Sequence, residues 1–219
     1  MGSRTSLFFA YLERLRWIRR WGLKRNVVEE NVMEHSWQVA TIAHALAVIG
    51  NEKFGMKINP GEVAITALYH DASEIITGDL PTPVKYHSDS IRNAYKAIEK
   101  EAEHELLRKL PDFMQPAFRP YLLSENVPED IERCVKAADL ISAFLKCQLE
   151  TRAGNHEFQD AMRDVERRLR TFDYPPAHYF LARFVDGYLL TLDELLRHHE
   201  ADTEDTSASD TRAMPFIRL

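Results

Sequence analysis

Cysteine is scarce in this chain of 219 residues, and so are long apolar runs and any excess of basic charge. The two cysteines, Cys134 and Cys147, stand thirteen residues apart in one predicted helix. At about 1.5 Å rise per residue they are roughly 20 Å apart and cannot bridge. They read instead as small core residues of a reducing compartment. No apolar run approaches the roughly 18 residues a membrane span needs. The short patch Leu7, Phe8, Phe9 is interrupted by Glu13, Arg14 and Arg16 before it could act as a signal peptide. A cytoplasmic protein is therefore expected, with no membrane partner. The formal net charge of -6 gives no basic field for wrapping nucleic acid. No convincing strand pair, internal repeat or dividing linker is present.

What is present is ordinary globular composition, 45% hydrophobic and 28% charged, at a length that suits one sizeable domain. The periodicity is helical throughout, so the expectation is an all-α bundle over residues 1–200 followed by a polar, acidic tail over 201–219. Phe8, Tyr11, Leu12 and Leu15 mark the apolar face of a first helix. Asn31 with Glu34 forms a capping box opening a second, its end marked by Gly50 and the polar, glycine-containing stretch to Asn59. Asn59, Pro60 and Glu62 signal a third, with Ile65, Leu68 and Ala72 facing inward. Gly78, Pro81 and Pro83 predict an irregular segment from Thr77 to Lys85. Further helices are expected over Ser88–Leu110, from Pro128 onward, over Glu157–Leu169 and over Pro176–His199. His44 is read as a packed histidine without a chemical role.

Four residues stand out as ligands: His35, His70, Asp71 and Asp139. Two imidazoles and two carboxylates make a sound nitrogen and oxygen set for a divalent first-row ion. Each lies on or beside an apolar helix face, where a carboxylate is costly unless paired or coordinated. His70 and Asp71 point about 100° apart on a helix, yet both can meet one ion at its end. Read alone, a His-Asp doublet has little specificity, and a packed, hydrogen-bonded core histidine is the ordinary alternative. The basic residues from Arg14 to Arg25 offer either a small-anion site or a solvated helix face.

The order His35, His70-Asp71, Asp139 resembles the pattern of the HD-domain phosphohydrolases. Closer still, RRWGLKRNVVEENVMEHSWQVA (19–40), ALYHDASEIITGDLPTPVKY (67–86), VKAADLISAFLKCQLE (135–150) and AGNHEF (153–158) resemble the bacterial HD-domain 5'-deoxynucleotidases. The resemblance covers about residues 7–195. It implies an HD-domain helical bundle in which His35, His70, Asp71 and Asp139 bind one divalent ion, with manganese, cobalt, zinc and iron all left open. It implies hydrolysis of a deoxyribonucleoside 5'-monophosphate to deoxynucleoside and phosphate. Glu74 and Asp79 become the catalytic carboxylates, their division of labour undecided. Arg20 becomes a phosphate clamp, and Trp21 a wall against a ribose 2'-hydroxyl. His35, Asp79, Thr82 and Asp139 complete the substrate contacts, and a homodimer is implied by analogy. The chemistry is consistent with general principles: a bound ion lowers the pKa of its water and polarises phosphoryl oxygens, while carboxylates manage protons. The alternatives are an HD phosphohydrolase acting on nucleoside triphosphates, cyclic phosphodiesters or (p)ppGpp-like alarmones, and a non-catalytic helical binding protein.

Overall fold

A computed structural model describes residues 5–202, and among them there is no β-strand, only an isolated bridge between Arg19 and Asn31. The helices are α1 (Phe8–Leu12), α2 (Val32–Phe54), α3 (Pro60–Tyr69), α4 (Glu74–Thr77), α5 (Thr82–Lys85) and α6 (Asp89–Arg108). They continue with α7 (Gln115–Leu122), α8 (Glu129–Arg152), α9 (Gln159–Thr171), α10 (Pro175–Phe184) and α11 (Leu192–Asp202). The architecture is all-α, as the periodicity implies.

Helix α2 is the central element and packs against α3, α8 and α10. Asn31 accepts a hydrogen bond from the Glu34 backbone, and the Glu34 carboxylate returns one from the Asn31 N–H, so both halves of the capping box are formed. The main core joins Val39, Ile42 and Leu46 of α2 to Val63 and Ala67 of α3, Ile131, Val135 and Ile141 of α8, and Phe180 of α10. A second cluster gathers Phe8, Leu106, Leu107, Leu122 and Leu123 around Ala72. Cys134 and Cys147 are buried and unbridged.

Several expectations are corrected. The first helix tightens into a 3₁₀ turn over Glu13–Trp17, with Phe8 and Leu15 buried. Helix α2 runs past Gly50 and ends within the expected stretch at Phe54, where Gly55 adopts the left-handed conformation at φ 67° that ends a helix cheaply. Gly50 is small for packing: a Cβ there would stand 2.8 Å from Met56 Sδ and 3.4 Å from Pro176 Cγ. On α3, Ile65 and Leu68 are exposed, and Val63, Thr66 and Ala67 face the core instead. His44 is exposed rather than packed. The segment 77–85 is not wholly irregular, since α5 forms within it.

The last expected helix is broken into α10, a 3₁₀ turn over Val185–Leu189, and α11. Thr191 and Glu194 exchange hydrogen bonds as a fresh capping box for α11. Helix α11 runs to Asp202, and residues 203–219 of the expected tail lie outside the described residues. Among the described residues no helix is long and apolar enough to cross a membrane.

Candidate metal centre and substrate site

Three helices bring the four sequence-selected ligands to one place. His35 lies in the first turns of α2, His70 caps the C-terminus of α3, Asp71 follows in the turn, and Asp139 projects from α8. His35, His70 and Asp71 each offer a ligand atom within 4.8 Å of the others. Asp139 Oδ1 lies 3.2 Å from His35 Nε2, which adds the fourth member at the more open side of the cluster.

The histidines are oriented from behind. His35 Nδ1 stands 3.1 Å from Ser142 Oγ, whose hydroxyl donates to Gln38 Oε1 at 2.6 Å. His70 Nδ1 stands 2.7 Å from the Ala67 carbonyl, which fixes its Nδ1 as the protonated nitrogen of the neutral ring. Both Nε2 atoms are buried and lack a hydrogen-bond partner. Buried polar atoms are nearly always satisfied, so two orphaned imidazole nitrogens converging between carboxylates fit a cation in their midst. The residues present therefore suit a divalent ion.

Electrostatics follow from the crowding. Burial would lower the His70 pKa, but the Asp71 carboxylate at 3.2 Å outweighs it and pushes it up to about 9. Burial opposes ionisation of Asp71 too, yet His70, His35 and Arg20 hold its carboxyl well below the usual carboxylate range. Asp139 is likewise lowered, burial being overcome chiefly by His35.

Arg20 and Trp21 sit in the loop before α2. Arg20 Nη1 is 3.4 Å from Asp71 Oδ2, and burial of its charge is offset by Asp71 and Glu30, which raise its pKa. Trp21 packs against Phe158 in a tilted arrangement, 5.3 Å between centroids, and occupies positive φ, 60°, the one non-glycine residue among those described to do so. Glu74 is buried in the first turn of α4, and its Oε2 lacks a partner. Burial, reinforced by Asp71 and Asp79, pushes its carboxyl up to about 10. Asp79 is also raised by burial, against the pull of Arg20 and a nearby Trp21 backbone N–H. Thr82 is different: it is exposed at the start of α5, and its hydroxyl makes no hydrogen bond to the cluster.

Sequence reasoning passed over two groups. Glu30 accepts from the Trp21 indole N–H at 2.9 Å and lies 3.3 Å from Arg20 Nε on the same oxygen. Farther back, fully buried Glu150 accepts from the Val27 and Val28 backbone N–H groups, from Asn155 and from Lys146, pinning the loop that carries Arg20 and Trp21. Lys146 and Glu150 at i, i+4, on a stretch of α8 that also buries Phe144, Leu145 and Cys147, were the available signal for the second group.

The family model described as 5'-deoxynucleotidase YfbR-like matches residues 7–188, most of the chain. The chain belongs to this family. Among its relatives, the 5'-deoxynucleotidase of Vibrio parahaemolyticus is 50% identical over 192 residues, which cover 88% of this chain and 99% of that one. The 5'-deoxynucleotidase of Yersinia pestis is 50% identical over 87% of this chain and 96% of its own length. Among solved structures, an HD-domain phosphohydrolase from Listeria innocua superposes with TM-score 0.72 at 25% identity, over 90% of this chain and 95% of that one. A cyanophage S-2L HD phosphohydrolase, solved with dA and one catalytic Zn2+ ion, shares the fold at TM-score 0.57 and 20% identity over 81% of this chain. For this YfbR-like chain the helical HD fold and an enzymatic, metal-dependent phosphohydrolase character follow from these likenesses together with the His35, His70, Asp71 group.

Proposed function

We propose that this chain hydrolyses deoxyribonucleoside 5'-monophosphates to deoxynucleoside and inorganic phosphate, with one divalent ion held by His35, His70, Asp71 and Asp139. The observation that carries the reading is the pair of buried, unpartnered Nε2 atoms of His35 and His70 facing two carboxylates. The ion supplies Lewis acidity toward the phosphoryl group and the attacking water. Manganese, cobalt, zinc and iron all suit such a nitrogen and oxygen set.

The chain's own residues do the rest. Arg20 is held charged beside Asp71, where its free guanidinium N–H groups face an anionic phosphate. Glu74 enters protonated and buried, which suits it to donate at Oε2 to the departing 5'-oxygen. Asp79, whose carboxyl burial pushes up against the opposing pull of Arg20, is the second carboxylate for moving protons in the site. Trp21 walls the sugar position, where a 2'-hydroxyl would be pressed against an apolar ring without a partner. Thr82 is the outer member of the site, exposed at the α5 N-terminus and able to meet a bound ligand. Residues 1–200 act as one catalytic domain in this reading. A homodimer belongs to it as well, supported by exposed apolar side chains such as Trp37, Ile65 and Leu68.

The test is phosphate release from metal-loaded protein on paired deoxy and ribo 5'-monophosphates. Release from the deoxy member in strong preference is the expected result. Equal release from both would remove the role given to Trp21, and release only from triphosphates, cyclic diesters or alarmones would overturn the substrate class.

A further inference from the structure

Glu30 makes more contacts with the substrate side of the site than with the metal side. One oxygen, Oε2, accepts the Trp21 indole N–H at 2.9 Å and lies 3.3 Å from Arg20 Nε. The Arg20 backbone N–H donates to the Glu30 carbonyl at 3.0 Å, so main chain and side chain are tied at the same point. The other oxygen, Oε1, stands 3.9 Å from His35 Nδ1. Arg20 and Glu30 are both largely buried, with 13% and 14% side-chain exposure, so this pair is shielded from the screening that weakens surface ion pairs.

Two features turn these contacts into a positioning argument. Trp21 holds a positive φ of 60°, a conformation bulky residues adopt only where their surroundings over-determine it. Its indole is fixed by one hydrogen bond, to Glu30, and by packing against the tilted ring of Phe158. Arg20 has Nε beside Glu30 and Nη1 beside Asp71, so two nitrogens of its planar fork are held at once. A single carboxylate therefore sets both the phosphate clamp and the sugar wall.

We propose that Glu30 is a positioning residue that holds Arg20 and Trp21 as one rigid unit and thereby sets the discrimination between deoxyribo- and ribonucleoside 5'-monophosphates. This rests on the nucleotidase reading above. Glutamate suits the role because one charged oxygen serves two donors. Glutamine would keep an acceptor for the indole and lose the charge that Arg20 faces.

The test compares wild type, Glu30→Gln and Glu30→Ala as full-length, metal-loaded proteins, with metal content and helical circular dichroism measured on each. For Glu30→Ala the deoxy-over-ribo ratio of kcat/KM is expected to fall about ten- to a hundredfold, the range one charge-assisted hydrogen bond supports. For Glu30→Gln the ratio is expected to stay within a few-fold of wild type, while KM rises for both substrates. Metal content is expected to be unchanged in both variants. A folded, metal-loaded Glu30→Ala protein with the wild-type ratio overturns the inference. So does Glu30→Gln with wild-type KM for both nucleotides, which keeps the test decisive if the alanine variant does not fold. Absence of phosphate release from wild type overturns the nucleotidase reading itself, and is distinguished by appearing before any substitution is made.

Discussion

The imidazoles of His35 and His70 stand 5.3 Å apart between centroids at an interplanar angle of 53°, each engaged at Nδ1 and unpartnered at Nε2. Two rings from different helices are thus turned with the same nitrogen inward. The backing groups, Ser142 with Gln38 on one side and the Ala67 carbonyl on the other, fix that orientation before any ligand arrives.

Loss of the backing hydroxyl should therefore weaken the metal site while leaving its ligands in place. Ser142→Ala is expected to lower metal affinity about ten- to a hundredfold, as removal of an outer partner of a ligating histidine commonly does. Competition against a chelator of known affinity measures it. An unchanged affinity would mean that His35 is oriented by packing alone.

Glu74→Gln removes the buried acid with little change of shape. Phosphate release is expected to fall about 10²- to 10⁴-fold with metal content unchanged, the usual scale for a general acid or base. Single-turnover kinetics beside metal analysis checks this. A variant that loses its metal would show that Glu74 supports the ligand cluster instead.

The Lys146–Glu150 pair governs stability rather than chemistry. Burial disfavours the Glu150 carboxylate, but Lys146, Asn155 and the Val27 and Val28 N–H groups outweigh it and hold its pKa at about 2. A carboxyl lowered on folding contributes stability above its ordinary value of 4.5, and that contribution is lost as pH falls from there toward about 2. Glu150→Ala leaves the Lys146 charge buried and is expected to cost about 3–5 kcal/mol near neutral pH. Its deficit should shrink as pH falls below 4.5. Urea midpoints at neutral and acid pH measure both effects, and a deficit that does not change with pH would contradict the assignment.

How much of this was readable in the sequence depends on the range of the interaction. The Asn31–Glu34 box and the Asn59–Pro60 start are local, and both formed as read. His35, His70, Asp71 and Asp139 were recognisable because chemically costly residues interrupted apolar faces in a known order. Ile65 and Leu68 misled because apolar character marks a face only when a partner helix covers it, and α3 turns Val63 and Ala67 to the core instead. Gly50 read as a stop because its need for smallness comes from Met56 and Pro176, which local pattern does not place against it. The break before α11 was locally encoded by Thr191 and Glu194, and the longer apolar period obscured it. Glu30 had no such mark: its role exists only once the loop folds back and brings Arg20 and Trp21 to one carboxylate oxygen.

If His35, His70, Asp71 and Asp139 hold one ion on which hydrolysis depends, removing that ion must stop the reaction. The most direct test strips the protein with a chelator, titrates manganese, cobalt, zinc or iron back, and follows phosphate release from a deoxyribonucleoside 5'-monophosphate alongside bound metal. No release is expected from stripped protein, with recovery that saturates at about one ion per chain and no recovery in His70→Ala. Release that survives stripping, or that returns in His70→Ala to the wild-type level, would contradict this assignment.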